Sequence, residues 1–418
     1  MDDSYDVVVV GGGAAGLGGA LTLARARRSV LVVDAGEPRN APAGQVHNFL
    51  TRDGTPPAEL VAIGRGEVTR AGATIVTGRV AAATGADGHF QATLDDGTEV
   101  RARRLLVATG LVDELPDLPG LAKRWGRDVL HCPYCHGWEV RDRRIGVLAT
   151  GPRAVRQAEL WRQWSPRVLL LTHHTPVPTA AEAERLAARA IPVVDGPVVA
   201  LELSADTPTG DALTGVRLAS GELVALDVLV VAPRMVAGSP VLASLGLEPE
   251  PVRLAGDVIG AQVPAGADGA TAVPGVWVAG NVADLHAQVV MAAAAGARAA
   301  VAINADLVEE DTRLAVDDYR TQLRILVDAA AWEERYRSRP AIRSGRPNPV
   351  VVAEGAELTP GAGRGLRRGR RRGVAGRARL AGDRRRHLRH GTGPSRGQRR
   401  RRWGTGRRAD RLAPGRQP

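Results

Sequence analysis

The sequence predicts an α/β protein built from two nucleotide-fold halves, and three observations carry that reading. A continuous apolar run, Tyr5 to Val10, breaks into the turn Gly11 to Gly16, continues as a helix over Leu17 to Ala26 and returns as a strand over Val30 to Asp34. A similar cadence recurs downstream, where Arg144 to Ala149 and Arg167 to Thr172 flank a helical segment from Arg153 to Trp164. Between and after these units lie strand-like pieces, Glu99 to Ala108, Leu223 to Ala232 and Gly275 to Ala279, and then a helix expected over Gln288 to Leu307.

At 418 residues the chain has material for two or three domains and an ample core. Its two cysteines, Cys132 and Cys135, exclude a disulfide-dense secreted scaffold. The formal net charge is +11, which taken alone would suggest an anionic partner. The distribution says otherwise. Residues 361–418 hold 21 arginines against Asp383 and Asp410, which leaves 35 basic against 43 acidic residues in 1–360. No signal-peptide pattern is readable at Met1 to Ser4, so a cytoplasmic protein is expected. The alanine-rich stretch Val289 to Ile303, interrupted by Arg298, is too short to span a bilayer.

Gly11-Gly12-Gly13-Ala14-Ala15-Gly16 has the context that the dinucleotide fingerprint requires: a buried strand before it, a helix after it, and Asp34 closing the next strand. The candidate contacts are Gly11, Gly13, Ala14, Ala15 and Gly16, which let a pyrophosphate approach the helix N-terminus, and Asp34, which would accept from a ribose. The fingerprint does not separate NAD from FAD. Two further strand ends, Ala108-Thr109-Gly110 and Gly280-Asn281, lean towards FAD, because a flavin needs additional contacts along its ribityl-phosphate portion.

His131-Cys132-Pro133-Tyr134-Cys135-His136-Gly137-Trp138-Glu139 places two cysteines three apart at a helix start. They can close a small disulfide, and the helix terminus with an adjacent imidazole lowers a thiol pKa. A zinc half-site, haem attachment and inert thiols are the competing readings. Zinc wants four ligands, and the other histidines form no second cluster at ligand spacing, so no metal is expected. Haem attachment belongs with an export signal.

With these motifs in hand, the sequence resembles the two-domain pyridine nucleotide-disulfide oxidoreductases, and within them the low-molecular-weight thioredoxin reductases. The resemblance implies an FAD cofactor, a homodimer, and a second nucleotide-type domain inserted in the first. On that plan residues 1–114 and 239–306 form the FAD domain, 115–238 the domain that carries the dithiol, and 307–361 a linker. Cys135 would face the flavin as thiolate, Cys132 would exchange with the external thiol or disulfide, and His136 would replace the group's acid/base carboxylate. Asn281 stands where that group has Asp and can still hydrogen-bond. Ala287, Gln288 and Val289 would direct helix amides at the isoalloxazine ring.

The second half carries Ala149-Thr150-Gly151-Pro152-Arg153-Ala154, a degraded glycine turn, and Thr172-His173-His174-Thr175-Pro176 where an arginine cluster would hold the 2′-phosphate of NADPH. That combination resembles the dithiol oxidases of gliotoxin and holomycin biosynthesis, in which electrons run from a substrate dithiol through the cysteines and flavin to oxygen. The expected partner is a small-molecule dithiol or a thioredoxin-like protein; the reverse reaction, with NADPH as donor, is the thioredoxin reductase alternative.

Residues 319–361 are similar to the lead-in of class I S-adenosylmethionine methyltransferases, but no acidic glycine loop follows, and a frame shift near residue 361 is inferred. Beyond it, five residues of Leu, Ile, Val and Phe among 58 positions predict a disordered arginine- and glycine-rich tail. Were the tail a genuine basic segment, it would bind nucleic acid nonspecifically through phosphates. With Trp403 its only aromatic residue, it gives little support to nucleic-acid recognition by stacking.

Overall fold

A computed structural model describes residues 4–86, 88–204, 211–254 and 256–337. The chain divides into a unit spanning Met1–Arg320 and a second, Thr321–Pro418, whose described part, to residue 337, is helical.

The first unit opens with β1 (Ser4–Val10), α1 (Ala14–Arg25) and β2 (Val30–Asp34). There follow α2 (Pro57–Arg70), β3 (Thr74–Thr77), β4 (Val80–Ala86), β5 (His89–Leu94) and β6 (Glu99–Val107). Val7, Val8 and Val9 are fully buried, as a central parallel strand covered on both faces requires. The strands run parallel in the order β3-β2-β1-β6, and β6 also pairs in parallel with β19 (Val276–Val278). The first part of β6 meanwhile pairs antiparallel with β5, and β5 with β4. This order brings the ends of β1, β2, β6 and β19 to one edge, where ligands of open α/β sheets bind.

Between β6 and β19 the chain builds a second sheet. β7 (Val112–Glu114) leads to α3 (Leu121–Arg124), β8 (Val129–Leu130), α4 (Pro133–His136), β9 (Ile145–Leu148) and α5 (Ala154–Trp161). Then come β10 (Val168–Leu171), α6 (Ala180–Ala188) and β11 (Val193–Val194), with Thr179 and Glu182 closing a reciprocal capping box at the start of α6. An antiparallel trio, β12 (Val198–Ser204), β13 (Ala212–Leu218) and β14 (Leu223–Ala225), precedes β15 (Val228–Val231) and β16 (Arg234–Val236). The parallel order is β11-β10-β9-β15-β8. One face packs Trp161, Ala158 and Leu186; the other packs the antiparallel trio through Leu213, Val216 and Leu218. The chain leaves and re-enters on β7 and β16, which pair antiparallel, and α7 (Pro240–Ser244), β17 (Glu250–Leu254) and β18 (Asp257–Gln262) continue it.

The last helix, α8, spans Val289–Arg337. It therefore runs well past the expected end at Leu307. Residues 308–337 contain neither glycine nor proline and are rich in Glu, Arg, Ala and Leu, so nothing stops the helix. Its stretch from Val289 is long and apolar enough, by length and composition, to cross a membrane. Within the first unit, however, Ala299, Ala300, Ile303 and Leu307 are buried in the core against α1 and the sheet. Arg28 and Arg104 tie the same helix to the strands through Asn304 and Asp306.

Other sequence expectations shift for local reasons. α1 begins at Ala14 rather than Leu17, because the Leu17 amide already donates to the Gly13 carbonyl and the turn proper is only Gly11 to Gly13. The single strand expected over 223–232 is two strands, β14 and β15, divided at Leu226 and Asp227; the Asp227 carboxylate accepts from the backbone and guanidinium of Arg144. Trp332, Glu333 and Glu334 of the methyltransferase-like stretch lie in α8, while residues 338–361 and the basic tail fall outside the described residues.

Candidate active site

The βαβ turn is shaped by close approaches that only glycine permits. Gly11 holds φ +104°, and a Cβ on Gly16 would sit 1.8 Å from the Gly11 carbonyl oxygen. The first turn of α1 has no side-chain cap, so its amides are free to receive an anion. Asp34 at the end of β2 accepts from the Gly12 amide at 3.0 Å and pairs with Arg65 of α2 at 2.9 Å. Arg65 had no signal in the sequence.

These groups line one cavity of about 1280 Å³, larger than the roughly 300–1,000 Å³ of a drug-sized pocket. Its wall includes Gly11, Gly13, Ala14, Ala15, Asp34, Ala108, Thr109, Gly110, Gly280, Asn281, Ala287, Gln288 and Val289. Cys132, Cys135 and His136 stand on the same wall. Of the residues proposed from sequence, only Gly16 is set back, in the helix behind the turn. The Thr109 hydroxyl is buried on this wall with no hydrogen-bond partner, a cost of about 1–3 kcal/mol that a bound polar group would remove. Together with the open α1 terminus, that orphaned donor fits a dinucleotide cofactor.

Asn281 has a second duty. Its amide nitrogen donates to the carbonyls of Asp284 and Ala287, both at 3.0 Å, tethering the loop that leads into α8. An aspartate could not make those bonds, so the amide holds Ala287, Gln288 and the start of α8 at the cavity edge.

Cys132 caps α4, and the two sulfur atoms lie 2.6 Å apart as free thiols. The Cys132 thiol is pulled down to about 7, first by the hydrogen bond from the Cys135 thiol and then, against burial, by the amides of Cys135 and Tyr134 and the charge of Arg39. Cys135 is pushed up, because ionising it means losing that hydrogen bond in a buried place beside a thiolate. The pair thus gives up one proton near neutrality and holds the other. These directions make Cys132 the more acidic thiol of the pair, where the resemblance implied a thiolate at Cys135. The charge that assists is Arg39, held by a two-pronged bond to Asp113 at 2.7 and 2.8 Å. No pattern in a single sequence marks Arg39, which the fold brings in from the loop after β2.

Burial is the main force lowering His136, with Glu139 opposing it and His47 assisting. His131 is held down to about 4, chiefly by burial and then by Arg39. A neutral buried imidazole makes the unfolded chain the stronger proton binder between the ordinary value near 6.5 and 4. Stability should therefore fall as pH drops through that window and level off below it, by up to about 3 kcal/mol. Urea unfolding of wild type and His131→Gln from pH 7 to 4 checks this; parallel pH dependences would refute it. Among the described residues no three His, Cys, Asp or Glu side chains converge as a metal site.

Residues 5–299 match the pyridine nucleotide-disulphide oxidoreductase family, more than half of the chain. The chain belongs to that family. A thioredoxin reductase of Leptosphaeria maculans, sirT, is 30% identical over 318 residues, 72% of this chain and 93% of that protein. The thioredoxin reductase aclD of Aspergillus oryzae is 40% identical over 162 residues, so this chain spans about half (49%) of that relative's length. The crystal structure of HlmI is 45% identical and superposes with a TM-score of 0.70 over 77% of this chain and 98% of that one. As a member of this family with thioredoxin reductase relatives, the chain is a flavin-dependent oxidoreductase, and FAD is the cofactor that the cavity is to hold.

Proposed function

We propose that this protein oxidises dithiols to disulfides, with molecular oxygen as the final acceptor. The observation that carries the reading is the state of the second nucleotide half. At the turn after β9, where a pyrophosphate would need bare amides, the Thr150 hydroxyl donates to the Ala232 carbonyl at 3.0 Å, which ties this turn to the end of β15. At the end of β10 the polar groups face one another. The Thr172 hydroxyl donates to Asp195 at 2.6 Å, and His173 Nδ1 accepts from the Val198 amide at 3.0 Å. Burial and the adjacent His174 hold His173 below its ordinary range, so it presents no cation to a 2′-phosphate. No arginine stands at 172–176. An electron donor other than NADPH is then needed, and the dithiol site offers one.

On this reading a substrate thiol loses its proton to His136 and attacks the Cys132–Cys135 bond at Cys132. The second substrate sulfur then displaces Cys132, closing the substrate disulfide. Two electrons stay on the pair, with one proton on Cys135. The α1 turn, Asp34 and the Thr109 and Asn281 loops would hold FAD, which would supply a two-electron acceptor for the reduced pair, with oxygen as the final acceptor. Tyr134, Trp138 and Leu50 are exposed apolar side chains of the dithiol segment and of the loop docked on it, and they suit a small dithiol with apolar substituents. A thioredoxin-like protein is the alternative partner and a homodimer the expected assembly.

Anaerobic mixing tests the direction of electron flow. Dithiothreitol should bleach the flavin within seconds while NADPH leaves it yellow; rapid bleaching by NADPH would replace this reading with that of a thioredoxin reductase.

A further inference from the structure

One cluster beside the dithiol is not used by the chemistry above. His47 lies in a loop closed on itself by the Val46 and Thr55 backbones at 2.8 Å and by the Asn48 amide on the Asp53 carboxylate at 2.8 Å. The loop is docked on the dithiol segment, because the Asn48 side chain donates to the Tyr134 carbonyl at 2.6 Å. Asn48 adopts φ +62°, a left-handed backbone that asparagine tolerates well. The loop thereby holds His47 between two carboxylates. Nδ1 is 3.4 Å from Asp53 and Nε2 is 3.4 Å from Glu139.

Exposure rises outward along this group. The His47 side chain is 13% exposed, Glu139 36% and Asp53 66%. His47 and His136 both line the cavity that holds Cys132 and Cys135. Glu139 follows His136 by three residues, in the turns that succeed α4, and His136 feels the charges of both Glu139 and His47. The titratable side chains in contact with His47 are Asp53 of its own loop and Glu139 of the dithiol segment, and His136 lines the same cavity, near enough for the charge of His47 to act on it.

We propose that His47 carries protons between the dithiol site and solvent, taking the proton that His136 removes from the substrate thiol and discharging it through Asp53. The inference rests on the dithiol reading. In the exchange two substrate S–H bonds and the Cys132–Cys135 bond break and one substrate S–S bond forms. The cysteine disulfide is the oxidant and takes two electrons; Cys135 keeps one proton, and the other has to leave a buried site. An imidazole with a carboxylate at each nitrogen accepts on one side and releases on the other without turning its ring. His47 touches neither sulfur in this account; it is a positioning and relay residue that acts through His136.

The test uses the FAD-loaded protein, mixed anaerobically with dithiothreitol between pH 6 and 9 in H2O and D2O. A parallel arm follows flavin-free oxidised protein by alkylating the thiols that dithiothreitol releases. His47→Gln should slow both readouts by roughly tenfold to a hundredfold, enlarge the solvent isotope effect and respond to added imidazole. Asp53→Asn should give a smaller slowing with the same enlarged isotope effect, and it serves as the test if His47→Gln fails to fold. Unchanged rates in the variants would overturn the relay, as would slowing with no isotope or imidazole response, which marks a merely structural loop. Wild type that dithiothreitol cannot reduce in either arm would instead sink the dithiol reading itself.

Discussion

Cys135→Ser should purify yellow and fold normally, yet its flavin should no longer bleach when a dithiol is added. The substitution exchanges one sulfur on the cavity wall for an oxygen and keeps a small side chain that can still donate to Cys132, so the helix start and the cofactor contacts survive. What disappears is the second sulfur. Cys132 can still exchange with an incoming disulfide, but no internal disulfide is left to be attacked by a thiol and accept its electron pair, and the rate should fall by at least about 10³-fold. The reduced wild-type pair should also alkylate faster as pH rises through about 7, since Cys132 is held there by the Cys135 thiol and the helix amides. In Cys135→Ser a hydroxyl replaces that thiol as donor, so the alkylation profile should move as well. Full bleaching by dithiothreitol in Cys135→Ser would remove the sulfur pair from the electron path.

Gly16→Ala should give colourless protein. The new methyl would sit 1.8 Å from the Gly11 carbonyl oxygen, inside the turn that aims the α1 amides at the cavity. Neither side can yield cheaply, because both are backbone, and Gly11 is itself locked at φ +104°. Overpacking of this kind costs about 3 kcal/mol, and the displaced amides lose the pyrophosphate as well. Gly13→Ala is the matched control: a Cβ there meets nothing within 4 Å, so stability should hold while the methyl enters the cofactor's space. Absorbance of the purified variants and urea midpoints separate the two effects. A yellow Gly16→Ala with an unchanged midpoint would show that the turn does not hold the cofactor.

Local patterns carried much of this into the sequence. The four consecutive valines of β1, the glycines after them and the acid closing β2 lie within 34 residues, so chain stiffness and sterics dictate their geometry before any distant contact forms. The spacing of Cys132 and Cys135 likewise needs only one helical turn. The short strands β12, β13 and β16 to β18 were missed, because short strands are selected by the neighbours they cover more than by their own alternation. Asn281 was legible as a departure from a family pattern, but its reason, a tether on two loop carbonyls, was not.

The residues around the sulfur pair divide in the same way. His131, His136 and Glu139 are neighbours of the cysteines along the chain, so sequence alone nominates them. Arg39, His47, Asp53 and Asp113 come from segments separated from the dithiol by about 20 to 90 positions, and their approach depends on how β7 and the loop after β2 meet α4. Sequence by itself determined which atoms can exchange electrons and where a dinucleotide can bind, because both are written in short-range geometry. Only the tertiary structure decided which arginine stands beside the sulfurs and which imidazole and carboxylates gather next to them, because charge acts through space and the fold chooses what stands within a few ångströms.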